Sequence, residues 1–142
     1  MFELTEYPIN KEKYLKQQPS SCGALVTFDG IVRPDKHHGV EVTSLLYIAD
    51  SDECIREGAL ILKEAKKKFS LLESVCIQRI GQVPAGESAI WIAVSSSHRC
   101  DAFDASRYII EEIKKRLLIW KKEFFKDGSS QWVRGLETPV IL

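Results

Sequence analysis

The chain has 142 residues, with 20 Lys+Arg against 20 Asp+Glu, four cysteines and 44% hydrophobic residues. That length suits one domain with a proper core and is too short for two ordinary ones; 28% charged and 9% aromatic residues exclude disorder and collagen-like repeats. Zero net charge argues against a dedicated nucleic-acid binder, which carries a basic excess, yet it leaves room for a local cluster of one sign.

The N-terminus, Met1-Phe-Glu-Leu-Thr-Glu-Tyr7, carries acids where a signal peptide needs a basic region. No apolar run approaches the roughly 18–20 residues of a membrane span. Cys22, Cys54, Cys76 and Cys100 are far apart with no C-x-x-C, a poor zinc or redox pattern. The expectation is a cytoplasmic protein with reduced thiols, no membrane contact, no bound metal and no cofactor. One domain is expected over 1–142, with an N-terminal arm at 1–20 and a C-terminal tail at 134–142.

Residues 1–20 are polar and weakly patterned, and read as a strand or arm leading into the domain. The β-branched, apolar run from Cys22 to Val32 predicts a strand interrupted at Asp29-Gly30. Pro34 to Gly39 is all turn formers and polar groups, hence a loop. Glu41 to Ala49 predicts a second strand, antiparallel to the first. Asp50 then opens a helix, with Glu53 three residues on giving a capping-box start. Ile55, Ala59, Leu62, Ala65 and Phe69 form its apolar stripe, and Lys66-Lys67-Lys68 close it.

Val75–Ile80 and Ala89–Ser95 predict two further strands around the turn residues Val83-Pro-Ala-Gly-Glu87. A second helix starts at Asp101, burying Phe103, Ile109 or Ile110, Ile113 and Leu117. The bulky run Leu118-Ile119-Trp120 and the turn signal Lys126-Asp-Gly-Ser129 favour a helix end near Arg116 followed by a β-hairpin. Strand pairs with short turns and two packed helices predict an α+β fold with antiparallel sheets.

Three features carry chemistry. Lys114, Lys115, Arg116, Lys121, Lys122 and Lys126 face the single acid Glu123 within thirteen residues, so a neutral chain contains a strongly positive segment. A phosphate or carboxylate is its simplest complement; a solvated face is the plainer alternative. Ser95-Ser-Ser-His98-Arg99 follows a strand and precedes a helix, a setting for anion binding or for simple capping. Arg33 leaves a strand end beside Gly30, where a bulge or close backbone approach is allowed. His37 and His38 are adjacent rather than at metal-ligand spacing and read as a solvated loop. Cys100, beside cations and a helix start, is the one thiol in a setting that favours thiolate. There is no dinucleotide fingerprint, phosphate loop, nucleophile elbow or zincin motif.

In combination these segments resemble the large, catalytic subunit of molybdopterin synthase. The matching residues are G-A-L-V-T-F-D-G-I-V-R from Gly23 to Arg33, R-I-G from Arg79, P-x-G-E from Pro84, and S-H-R-x-x-A-F from Ser97. They continue with K-x-R-x-x-I-W-K-K-E from Lys114 to Glu123 and with Trp132-Val133. Together they cover about residues 20 to 133. This chain has Leu118 where members usually carry Pro, and Tyr47-Ile-Ala-Asp50 departs from the Glu-His-Tyr-type run of relatives.

The resemblance implies an α/β-hammerhead-type fold with two main helices and a C-terminal hairpin. It also implies a homodimer within a heterotetramer whose small ubiquitin-like partner ends in a Gly-Gly thiocarboxylate. The implied activity is sulfur transfer: two sulfurs pass to cyclic pyranopterin monophosphate (precursor Z), giving molybdopterin for the molybdenum cofactor. The implied catalytic residues are Lys114 and Lys121 with Arg33. Ile31, Val32, His98, Arg99, Lys122 and Glu123 are the implied further substrate contacts. Crowding by Arg33 and Arg116 is expected to lower a lysine pKa. The competing readings are a non-enzymatic anion- or RNA-binding module built on 114–126, and a persulfide sulfurtransferase using Cys100.

Overall fold

Two sheets and two long helices make up an α+β fold in a computed structural model that describes residues 1–16 and 18–133; the tail expected at 134–142 lies outside the described residues. The elements are β1 (Phe2–Thr5), α1 (Glu12–Leu15), β2 (Ala24–Ile31), β3 (Lys36–His37), β4 (Val40–Ala49) and α2 (Ser51–Lys68). They continue with β5 (Leu71–Arg79), β6 (Gly81–Pro84), β7 (Ser88–Ser96), α3 (Arg99–Arg116), β8 (Ile119–Phe125) and β9 (Ser130–Trp132). One sheet runs β1-β5-β7-β2, antiparallel except for the β1–β5 pair. The other runs β3-β4-β8-β9, with β6 on the same edge of β4 as β3.

β7 is the spine of the first sheet. Eight of its nine residues are buried, which only a strand covered on both faces requires. α2 and α3 cover one face through Ile61, Leu62, Ala65, Ala105, Ile109 and Ile113. The N-terminal segment covers the other, with Ile9 and Tyr14 on Trp91 and Ile77. Ile92 is wholly buried, and its truncation to Ala costs about 2–5 kcal/mol. The described residues of the expected arm, Phe2, Leu4, Ile9 and Tyr14 among them, are therefore a structural layer.

The predicted α2 cap is present, with the Asp50 carboxylate accepting from the Glu53 backbone N–H at 3.2 Å. Its buried stripe, however, is Cys54, Gly58, Ile61, Leu62 and Ala65, while Ile55 is half exposed. The missing side chain at Gly58 lets Phe2 pack directly against the helix, so the contact line begins one residue earlier than large apolar residues suggest. α3 starts at Arg99 rather than Asp101, and Phe103 is 60% exposed; Ala102, Ala105 and Ser106 take the buried side of its first turns.

The second strand does not pair with the first. β2 pairs with β7, while β4 pairs with β3, β6 and β8 in the other sheet. The stretch read as a loop is the reason. Lys36-His37 pairs back on Val40-Glu41 through a two-residue turn in which His38 and Gly39 both have positive φ, 52° and 80°. That is a tight-hairpin geometry, which favours Gly at the second position, and it redirects the chain into the second sheet. Val83 and Pro84, expected in the turn that runs to Glu87, belong instead to strand β6. The C-terminal hairpin β8–β9 forms as predicted.

Candidate active site

A cavity of about 760 Å³ opens between the end of β2, the last turns of α3 and the inner face of the β4–β8 pair. That volume is in the range that takes a small organic ligand. Its floor is apolar, including Ile90, Ile113, Leu117 and Ile119, and its charged groups stand around that floor. The register of β2 on β7 slips between Gly30 and Ile31. A Cβ at Gly30 would lie 2.6 Å from the Ile90 side chain, so Gly there permits the close approach that turns the strand end. Val32 is then clamped: its N–H donates to Glu87 O at 3.0 Å and its carbonyl accepts from Gly86 N–H at 2.8 Å. Arg79, almost wholly buried, donates to the Glu87 carboxylate at 2.7 Å and fixes that turn from beneath. Arg33 leaves this anchor with its side chain 80% exposed and pairs with Asp35 at 3.3 Å.

Lys114 comes from the last turn of α3 and Lys121 from β8, so the break between helix and hairpin aims both into the cavity. Lys121 lies opposite Tyr47 in the sheet, with Nζ 5.9 Å from the ring centre. Burial lowers the Lys121 pKa, and the positive charge of Lys114 lowers it further. Burial also pushes the Tyr47 phenol up to about 12. Glu123, two residues along the same face of β8, lines the cavity too.

Six of the predicted residues thus meet at one place: Ile31, Val32, Arg33, Lys114, Lys121 and Glu123. Three others do not. Strand alternation turns Lys122 to the opposite face, with Nζ 5.4 Å from the Trp132 ring centre and 5.8 Å from that of Phe124. His98 and Arg99 are at the N-terminal end of α3, about 24 Å along the helix from Lys114 at 1.5 Å per residue. Arg116 is bound to carboxylates, at 2.6 Å from both Glu57 and Glu64 and 3.4 Å from Glu112. It is not among the groups that lower Lys121, which corrects the expected crowding by Arg116 and Arg33. The positive segment is split, and its charges do not form one stripe.

Sequence reasoning missed His37. Its Nε2 lies 3.1 Å from Glu123 Oε2, its ring meets Phe125 edge-on at 5.7 Å, and it lines the cavity. The His-Gly dipeptide that makes the hairpin was the available sign. Cys76 is fully buried and burial pushes its thiol up to about 12; Cys54 is pushed up to about 11. Neither suits a nucleophile. Among the described residues no group of His, Cys, Asp and Glu could hold a metal ion. No described helix is long and apolar enough to cross a membrane.

The family model of the MoaE protein matches residues 4–116. A molybdopterin synthase catalytic subunit from Thermoplasma volcanium is 41% identical over 131 residues, covering 92% of this chain and 95% of that one. The crystal structure of molybdopterin synthase from Staphylococcus aureus superposes with a TM-score of 0.86 at 37% identity, covering 93% of this chain and 96% of that chain. A complex of subunits 1 and 2 of the molybdopterin-converting factor from Helicobacter pylori shares the fold, with a TM-score of 0.76 at 18% identity over 97% of this chain and 93% of that one. With this cavity, these lysines and these relatives, the chain belongs to the MoaE protein family.

Proposed function

We propose that this chain is the catalytic subunit of a molybdopterin synthase, a sulfurtransferase of molybdenum cofactor biosynthesis. The observation that carries the reading is the convergence of Lys114, Lys121 and Arg33 on one cavity with an apolar floor. The relatives' names supply the activity, and the two-subunit Helicobacter pylori complex supplies the kind of partner. In this reading the small ubiquitin-like partner threads its Gly-Gly tail into the cavity and presents a terminal thiocarboxylate beside precursor Z. Two successive transfers place both sulfurs on the pterin and open its cyclic phosphate.

Each residue then has a physical task. Lys121, whose burial and neighbour disfavour the ammonium, supplies an amine that moves a proton or takes the acyl tail transiently. Lys114, at the open side, and Arg33, largely exposed while paired with Asp35, stabilise the phosphate and the negative charge that develops at oxygen and sulfur. Glu123 shapes the polar wall. His98 and Arg99 stand too far up α3 to reach this cavity within one chain; they serve the phosphate from a second copy, in a homodimer that carries two small subunits. The sulfur arrives on the partner's tail, so no cysteine of this chain takes part.

Mixing the chain with a thiocarboxylated Gly-Gly-tailed partner and precursor Z tests the proposal by direct assay of molybdopterin. The wild type is expected to form it and Lys114→Ala is not. No product from a folded wild-type chain with a competent partner overturns the assignment.

A further inference from the structure

Lys121 and Glu123 stand two residues apart on one face of β8, a spacing at which an ammonium and a carboxylate can pair. Yet among the described residues Lys121 makes no ion pair, and both carboxylates of the cavity are engaged elsewhere. Asp35 is held by Arg33 at 3.3 Å. Glu123 is held at both oxygens, Oε2 by His37 at 3.1 Å and Oε1 by the Gln131 amide at 3.2 Å. An ionised carboxylate only accepts, so the imidazole Nε2–H donates in the His37 contact. His37 itself is well placed: the His38-Gly39 hairpin fixes its backbone, and Phe125 fixes the plane of its ring.

We propose that His37 is a positioning residue for Lys121: by holding the Glu123 carboxylate, it keeps that negative charge from pairing with the Lys121 amine. The inference deepens the functional reading above and rests on Lys121 acting there as an amine. The charged and titratable groups around Lys121 are Lys114 of α3, Tyr47 of β4, His37 of β3, Glu123 of its own strand, and Arg33 and Asp35 of the segment after β2. Of these, only the two carboxylates would favour the ammonium, and each has another partner. Released from His37, Glu123 has Lys121 as its nearest lysine on the same face of the strand. The pair that forms then raises the proton affinity of the amine that the reaction uses.

The test follows the titration of one side chain in the full chain carrying 13C-labelled lysine, with the Lys121 signal assigned by its loss in Lys121→Arg. His37→Phe keeps a ring against Phe125 and removes the donor. It is expected to raise the Lys121 midpoint by about one pH unit, a tenfold gain in proton affinity. His37→Gln restores a donor and is expected to bring the midpoint back towards wild type. In the Glu123→Gln background, His37→Phe is expected to give no rise. His37→Ala carries the same expectations should His37→Phe fail to fold. An unmoved midpoint in a folded His37 variant, or an equal rise in the Glu123→Gln background, overturns the proposal. The readout is separate from turnover. A shift that follows this pattern in a chain that transfers no sulfur supports the positioning role and overturns only the functional reading.

Discussion

Arg116 and Lys121 are five residues apart in one basic run, and their surroundings are opposite. Arg116 pairs with Glu112 on its own helix and reaches across to α2, where Glu64 and Glu57 raise its proton affinity despite partial burial. Lys121 is partly buried in the cavity near Lys114, with no carboxylate paired to it among the described residues, and its proton affinity falls. A cation with partners ties elements together, and one without partners is available for chemistry. The lesson is that a run of like charges has no single role. What decides is where the chain places the opposite sign.

The contrast breaks most visibly in activity. Lys121→Ala is expected to lower molybdopterin formation by at least 100-fold in the reconstituted assay, with little change in thermal midpoint. Arg116→Ala is expected to do the reverse. Leaving three acids together at the α2–α3 contact costs about 2 kcal/mol, read as a shift in denaturant midpoint, while activity per folded molecule stays near wild type. Comparable loss of activity in both, at unchanged stability, would break the distinction.

A smaller effect is expected one step from the site. Glu87→Gln weakens the charged contact with Arg79 and loosens the turn that clamps Val32. The expected outcome is a KM for precursor Z raised about threefold to tenfold, with kcat less affected, because Arg33 is then less well placed. The smallest effect belongs to Cys100→Ser. Cys100 is exposed and lies at the N-terminal end of α3, away from the cavity, so turnover should be unchanged. Loss of sulfur transfer in that variant would favour a persulfide on Cys100 over delivery of sulfur by the partner's tail.

Stability should carry the same signature through pH. The folded-state pKa of Lys121 lies below its unfolded value, so the unfolded chain binds more protons in the window between the two. Stability from this group therefore rises with pH through that window, is fully present above the ordinary lysine range, and is lost as pH falls through the lowered value. Lys121→Met removes that dependence and is expected to stabilise the chain at neutral pH by about 1 kcal/mol while abolishing activity. Paired urea titrations at pH 7 and pH 10 read this directly.

Much of this was legible from local signals. Asp50 with Glu53 marked the start of α2, and Asp127-Gly128 marked the turn of a hairpin, which requires α3 to end before Ile119. That break is what brings Lys114 and Lys121 to one cavity, so the main site followed from turn chemistry. What was not legible depended on long-range pairing. Nothing local says that β2 chooses β7 over β4, and the contact between Phe2 and Gly58 that sets the phase of α2 spans most of the N-terminal half. Lys122 was misplaced because composition cannot assign the face of a strand before its register is known. His37 was missed because its partner is 86 residues away.

The central claim is that Lys121 reacts as an unpaired amine with a lowered pKa, and the pH dependence of molybdopterin formation under single-turnover conditions tests it most directly. The wild type should show a limb with a midpoint below the ordinary lysine value, and Lys121→Arg, which keeps its proton throughout, should lose that limb together with most of the rate. The same limb persisting in Lys121→Arg, at a comparable rate, would contradict the account.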